Sequence, residues 1–302
     1  MSETQEKLVN IFDKFHIFTL EMEYLVDKTN QFISHEINNV KTYEDNINQY
    51  IKKHQDFLKN LSKDDFFGEF RIGSLIDIRD SNGFPFPRNQ ISKLLKDKKP
   101  FLFNYENTIQ SWVMAWVYEQ YEFFLKNVFI ICKNDIDKDI DFLNKINVFK
   151  SPQYDLRKIH TYLTGNYSDI DKYEKNNNYI KKESKYNFYW YVFFIEKMRH
   201  IVVHKQGNLS NINNFKNMLM KDLGLSNNNI LKNFLQQMTD FYFLENEDKT
   251  GYILNLSLFS NNKSVLTQND TKKIKDIIET LVCHAFLITN CILSSFGTGK
   301  TH

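Results

Sequence analysis

Phe193-Phe194-Ile195-Glu196-Lys197-Met198-Arg199-His200-Ile201-Val202-Val203-His204-Lys205-Gln206-Gly207 closes an aromatic-rich segment that begins at Tyr186. From Tyr186 to Met198 so few polar residues interrupt the run that it reads as a buried helix. The helix is expected from about Lys185 to Lys205, with Gly207 as its C-terminal cap. On a helical wheel with Arg199 at 0°, Glu196 falls near ~60°, His200 near ~100° and His204 near ~140°. Trp190, Phe194, Met198 and Ile201 take the opposite side. A charged arc on a mostly buried helix must face a cleft, a partner subunit or a paired charge, because isolated burial of charge is costly. Tyr189 and Phe193, on the polar side, indicate that the arc is itself partly covered.

Working outward, the chain reads as helical. Its 302 residues suffice for one large or two ordinary domains, and 42% hydrophobic content with 15% aromatics can fill a core. Nine glycines and four prolines are too few for the many turns of a sandwich or barrel. Residues 1–62 read as an N-terminal hairpin of two long helices, the second running from Tyr43 to Leu61 behind a Thr42/Asp45 capping box. Residues 63–102 hold three of the four prolines and read as an irregular connector, with a short helix at Gln90–Lys96. A helix apolar nearly all round follows from Asn104 to Cys132, with Glu119 and Glu122 as exceptions. For Glu122 an i,i+4 pair with Lys126 competes with a role in a site.

Shorter helices are expected at Asp135–Phe149 and at Gln153–Leu163, the latter closed by Gly165 and carrying Arg157 and His160. The polar, Asn-rich run Tyr167–Ser184 reads as a surface excursion. Helices at Asn213–Lys221 and Asn228–Asp240 precede a change of period at 241–259, where a small β-hairpin is expected. An apolar helix, Asp270–Leu293, follows. Gly297-Thr298-Gly299-Lys300-Thr301 is not a phosphate loop, which needs glycine where Ser294 stands.

Several function classes lose support. A net charge of +2 gives no global field for nucleic acid, although a compact RNA site remains compatible with it. Cys132, Cys283 and Cys291 lie in apolar contexts without metal-ligand spacing and read as reduced core residues. MSETQEKLVN lacks a signal-peptide apolar region, and no run reaches ~18 uninterrupted apolar residues. The expected location is cytoplasmic, with no membrane contact. There are only five arginines, which makes Arg199 informative.

Three readings of the arc compete. In the first, Arg199 pairs with Glu196 and the histidines are satisfied core or interface groups. In the second, Glu196, His200 and His204, at i, i+4 and i+8, chelate zinc, although Ile201 stands where a metalloprotease helix needs Glu. In the third, a histidine moves a proton while arginine stabilises charge on a phosphate undergoing RNA cleavage.

Arg199-x4-His204 with polar His200 after the arginine, at the end of a long apolar helix, resembles the signature of the HEPN superfamily. The helix Trp116-Val117-Tyr118-Glu119-Gln120-Tyr121-Glu122-Phe123-Phe124-Leu125-Lys126 also looks like a HEPN helix. The resemblance covers roughly residues 103–293 and leaves the first hundred unassigned. It implies an all-α bundle, a HEPN-like domain over 103–302, and a homodimer whose Arg-x4-His helices meet at the two-fold axis. It further implies a metal-independent endoribonuclease, without cofactor, acting on single-stranded or loop RNA as a toxin or antiphage effector. An antitoxin or regulatory partner is compatible with that role. His204 and Arg199 would be catalytic, His200 would assist, and Glu122 and Glu196 would support, with Glu122 orienting Arg199 or His204. Some HEPN proteins are not nucleases, so a non-catalytic dimeric interaction or regulatory protein is the alternative.

Overall fold

The structure, a computed structural model, describes residues 2–53, 88–136, 156–176, 186–246, 250–256 and 273–297. Among these it is mostly helical, as expected. The helices are α1 (Glu3–Lys53), α2 (Arg88–Ile136), α3 (Leu156–Asn166), α4 (Ser168–Asn176), α5 (Phe188–Lys205), α6 (Ile212–Asp222), α7 (Asn229–Tyr242) and α8 (Lys273–Gly297). The chain divides into two compact units. The larger takes Met1–Val26, Ile109–Leu256 and Thr271–His302, and the smaller takes Asp27–Thr108 and Ser257–Asp270.

Two expectations about the first hundred residues change. The capping box does not break α1, which continues as one helix through Thr42. There the Thr42 hydroxyl donates to the Asn38 carbonyl at 2.9 Å, an i−4 back-bond that serves a helix interior in place of a cap. Residues 54–62 lie outside the described residues. The C-terminal part of the expected connector is also helical, because α2 begins at Arg88 and runs through Pro100. The Leu- and Lys-rich run from Lys93 to Lys99 has the propensity to carry the helix up to that proline. Most of the expected helix at Asp135–Phe149 lies outside the described residues. In the smaller unit, Thr29 and Ile33 of α1 and Leu102 and Glu106 of α2 are buried.

The larger unit is built on α5. Asn187 caps its N-terminus by accepting the Tyr189 amide at 2.8 Å. At its other end Gln206 (φ 52°) and Gly207 (φ 82°) turn left-handed, and the Gly207 amide donates to the Ile201 carbonyl at 3.1 Å. This closure spends the αL turn that the glycine permits. Val192, Phe193, Phe194, Ile195, Met198, Ile201 and Val202 are buried. Phe194, fully buried, meets the rings of Phe215, Phe234 and Tyr242 at 6.0, 6.3 and 6.0 Å between centroids. Asparagines also cap α6 and α7: Asn211 accepts from Asn214 and Asn228 from Leu231, both at 2.9 Å.

The turn after α5 leads into β1 (Asn208–Leu209), which joins β2 (Phe243–Glu245) and β3 (Tyr252–Leu254) in an antiparallel sheet of order β1-β3-β2. The expected hairpin is therefore present as β2–β3, with Leu244 opposite Ile253. Its third strand follows directly from the end of α5. A Cβ on Gly251 would stand 2.9 Å from the Leu209 carbonyl, so the close approach there needs glycine.

The run from Tyr167, expected at the surface, instead folds inward. Residues 168–176 form α4, and Tyr167, Ile170 and Glu174 are buried. Their i, i+3, i+7 spacing is a helical inner face. α8 lies against α4 and α5. By length and composition it is apolar enough to cross a membrane, and 56% of that stretch is buried inside the protein.

Replacing Phe194 by Ala should remove three ring contacts at once. The expected loss is about 3–5 kcal/mol of unfolding free energy, read as a lower urea midpoint at unchanged slope. A loss below about 1 kcal/mol would mean that this side chain does not fill the core as described.

Candidate functional site

α5 exposes one arc near its C-terminus. Arg199 is partly buried, and His200 and His204 are exposed. The two imidazoles stand side by side, 5.8 Å between centroids and 17° apart in plane, as i,i+4 neighbours do. Arg199 Nη2 donates to Glu119 Oε1 of α2 at 2.9 Å. Its Nε is enclosed and has no acceptor among the described residues. The C-terminal half of a helix favours cations, which suits this clustering.

The supporting carboxylates divide differently from the expectation. Glu122 accepts from Lys126 at 2.5 Å, the i,i+4 pair, while Glu119 takes the contact with Arg199. Glu196 does not pair with Arg199 in the ion pairs described. Its carboxylate is 3.2 Å from Lys197 Nζ and 3.8 Å from His200 Nε2. Lys197, almost wholly buried, also reaches Asp222 at 3.2 Å and lies 4.8 Å from the centre of the Phe193 ring. Partial burial holds the His200 pKa below its ordinary 6.5; Lys197, Arg199 and His204 push the same way and Glu122 opposes them. His200 is therefore biased towards the neutral, proton-accepting form near neutral pH.

A second group lies in the core at the junction of α3, α4 and α8. His160 Nε2 is 2.8 Å and His284 Nε2 is 2.7 Å from the same oxygen of Glu174. His160 Nε2 also lies 3.0 Å from the other carboxylate oxygen. On its far side His284 Nδ1 meets the Tyr121 hydroxyl at 2.5 Å. His160 is sandwiched against Tyr189, 3.7 Å between ring centres and 11° from parallel. His284 and Glu174 are 0% and 1% exposed. Burial alone would raise the Glu174 pKa, but the hydrogen bonds and charges of His160 and His284 outweigh it and hold it down to about 2. Burial dominates at His284 and lowers its pKa, against the pull of Glu174.

Sequence reasoning placed His160 on a helix but assigned it no role, and it passed over Glu174 and His284. Two signals were available: the Tyr167/Ile170/Glu174 face, and a histidine set within Leu281-Val282-Cys283-His284-Ala285-Phe286-Leu287. A depression of about 290 Å³ between α6, α7 and the sheet, lined by Lys216, Gln236 and Asp240 among others, includes none of these groups. Its polar lining is internally bonded, Lys216 to Gln236 and Gln236 to Asp240, both at 2.7 Å. No family model, curated protein or solved structure matches the chain.

The electrostatics of the arc can be read directly. In an NMR titration the His200 ring should titrate below 6.5. Arg199→Ala removes one of the positive charges that lower it, so the midpoint should move upward in that variant. A wild-type midpoint at or above 6.5, or no shift in Arg199→Ala, would contradict this account.

Proposed function

We propose that the chain is a dimeric, metal-independent endoribonuclease of HEPN type, acting on single-stranded or loop RNA in the cytoplasm as a toxin or antiphage effector. One observation carries the reading: Arg199, His200 and His204 share an accessible arc on a helix whose other side, with Phe194, Met198 and Ile201, is buried. The RNA 2′-hydroxyl attacks the adjacent phosphorus, and His204 of one protomer takes its proton. The 5′-oxygen leaves with a proton delivered by the second protomer's histidine. The products are a 2′,3′-cyclic phosphate and a 5′-hydroxyl, and no water or metal enters the balance. Arg199 neutralises the charge that builds on the phosphoryl oxygens. The neutral bias of His200 suits a group that assists the proton acceptor.

Before substrate arrives, Glu119 holds Arg199. Glu119 is half exposed, and such pairs contribute only about 0–1 kcal/mol, so a phosphate can displace it. Trp112, Trp116 and Phe123, all about half exposed, flank Glu119 on α2 at i, i+4 and i+11. An aromatic stripe of this kind supports a second copy of the chain as its cover. The same contacts favour the alternative, a non-catalytic dimeric interaction or regulatory protein, in which the Glu119–Arg199 pair simply holds α2 to α5.

RNA cleavage in chelator, with circular dichroism to verify the fold, separates the two. Wild type should yield cyclic-phosphate ends, and Arg199→Ala and His204→Ala should each lose at least about 100-fold in rate. Activity retained in both variants would sink the ribonuclease assignment. A well-folded dimer that cleaves no RNA would favour the interaction protein.

A further inference from the structure

We propose that His160, Glu174 and His284 form a binding site for a divalent transition metal of the zinc type, which clips α3, α4 and α8 together. Their donor atoms all lie within 4.8 Å of one another, and they are the group of this composition among the described residues. Two imidazole nitrogens and one carboxylate make a His2Glu set, which suits zinc and its borderline neighbours and not magnesium or calcium.

The geometry is close to what an ion needs. Bonds of about 2.0–2.1 Å at a tetrahedral angle place neighbouring donors about 3.3 Å apart. The two histidine nitrogens stand 2.7 and 2.8 Å from Glu174 Oε1, so a spread of about half an ångström by side-chain rotation admits the ion. Both histidines present Nε2 to the same point. Ligation through Nε2 requires the proton of His284 to sit on Nδ1, where the Tyr121 oxygen, 2.5 Å away, accepts it. Such an outer partner fixes tautomer and ring direction in metal-bound histidines. Tyr189 fixes the other ring by stacking. The His160 side chain keeps 15% exposure, which leaves one side of the set open for entry and for a fourth ligand from water.

Charge points the same way. Glu174 is 1% exposed, and its ion pairs among the described residues are with His160 and His284. With both imidazoles neutral, the three groups carry a net negative charge into the core, which is expensive. A dication reverses that deficit: it takes both Nε2 lone pairs and one carboxylate oxygen, while the single proton of each neutral imidazole moves from Nε2 to Nδ1 and none is lost. The ion would tie residues 160 and 174 to residue 284, a long loop whose closure constrains the unfolded chain. Tyr189 and Arg199 are ten residues apart on α5, about 15 Å along its axis, so this site is separate from the Arg199 arc and the inference does not rest on the ribonuclease reading.

The test uses the full chain, stripped with chelator and then freed of it. Titration with zinc, and with cobalt as a spectroscopic substitute, should give one equivalent bound at a Kd of about 1 µM or tighter. Cobalt should produce the visible absorption of a four-coordinate nitrogen–oxygen site, and zinc should raise Tm by about 5 °C. Glu174→Gln, which preserves shape and removes the charge, and His160→Ala, at the partly exposed edge, should each abolish both responses. His200→Ala and His204→Ala should leave them intact. Less than about 0.1 equivalent bound to folded wild type would overturn the proposal. So would binding retained in Glu174→Gln and His160→Ala, or binding lost in His200→Ala and His204→Ala. Because RNA plays no part in the readout, failure here and failure of the ribonuclease reading are told apart.

Discussion

A carboxylate taken into the core is the constraint that the larger unit is arranged to satisfy. An unpaired ionised group there would cost several kcal/mol, so Glu174 must be met by donors wherever it lies. Two histidines meet it on one oxygen, and Tyr121 meets the second histidine in turn. The chain of contacts therefore sets α3, α4 and α8 against one another and fixes a turn of α2. Aromatic rings then close around it: Tyr189 on His160, and Phe188 beside His284 at 5.5 Å. The packing of α5 against α8 follows from the same enclosure.

That enclosure explains why α5 has two unlike ends. Its first half supplies rings to the buried cluster and to the Phe215, Phe234 and Tyr242 group. Its second half runs past α2 into the left-handed turn at Gln206 and Gly207, and the chain leaves directly as β1. The sheet thus begins where the helix ends: the Leu254 amide donates to the Gly207 carbonyl at 2.9 Å. Arg199, His200 and His204 lie on the last turns before this junction, held by a helix that cannot rotate without unpacking Phe194 and Met198.

The legible parts of the fold were those where one signal dominated. The ring-dense stretch before Arg199 reads as a buried helix, and the period change over 241–259 suggests a hairpin, whose first strand starts only at Phe243 because α7 runs on through Tyr242. Where two signals competed, local chemistry misled. Thr42 and Asp45 match a cap, yet α1 continues because the threonine has an equally good partner one turn back. The run from Tyr167 is polar by composition, but Tyr167, Ile170 and Glu174 share a face, and a buried partner for Glu174 over a hundred residues away is invisible locally. Glu119 and Glu122 sit one turn apart on α2, and side-chain reach, not spacing, decides that Glu119 meets Arg199. Asparagine abundance carries a structural consequence too: Asn187, Asn211 and Asn228 each begin a helix.

Access divides the chemistry between the two titratable groups. An anionic ligand of any size needs an open approach and a cation free to leave its resting partner. The arc on α5 meets both needs, with exposed imidazoles and an arginine held by a half-exposed carboxylate. The His160–Glu174–His284 group meets neither, because two of its three members are closed to solvent and its donors already converge on a single point. Convergence with a single open edge at His160 suits something the size of an ion, whereas room without convergence suits a larger ligand that brings its own charge. One helix borders both groups: Tyr189 near its start stacks on His160, and Arg199, His200 and His204 stand near its end.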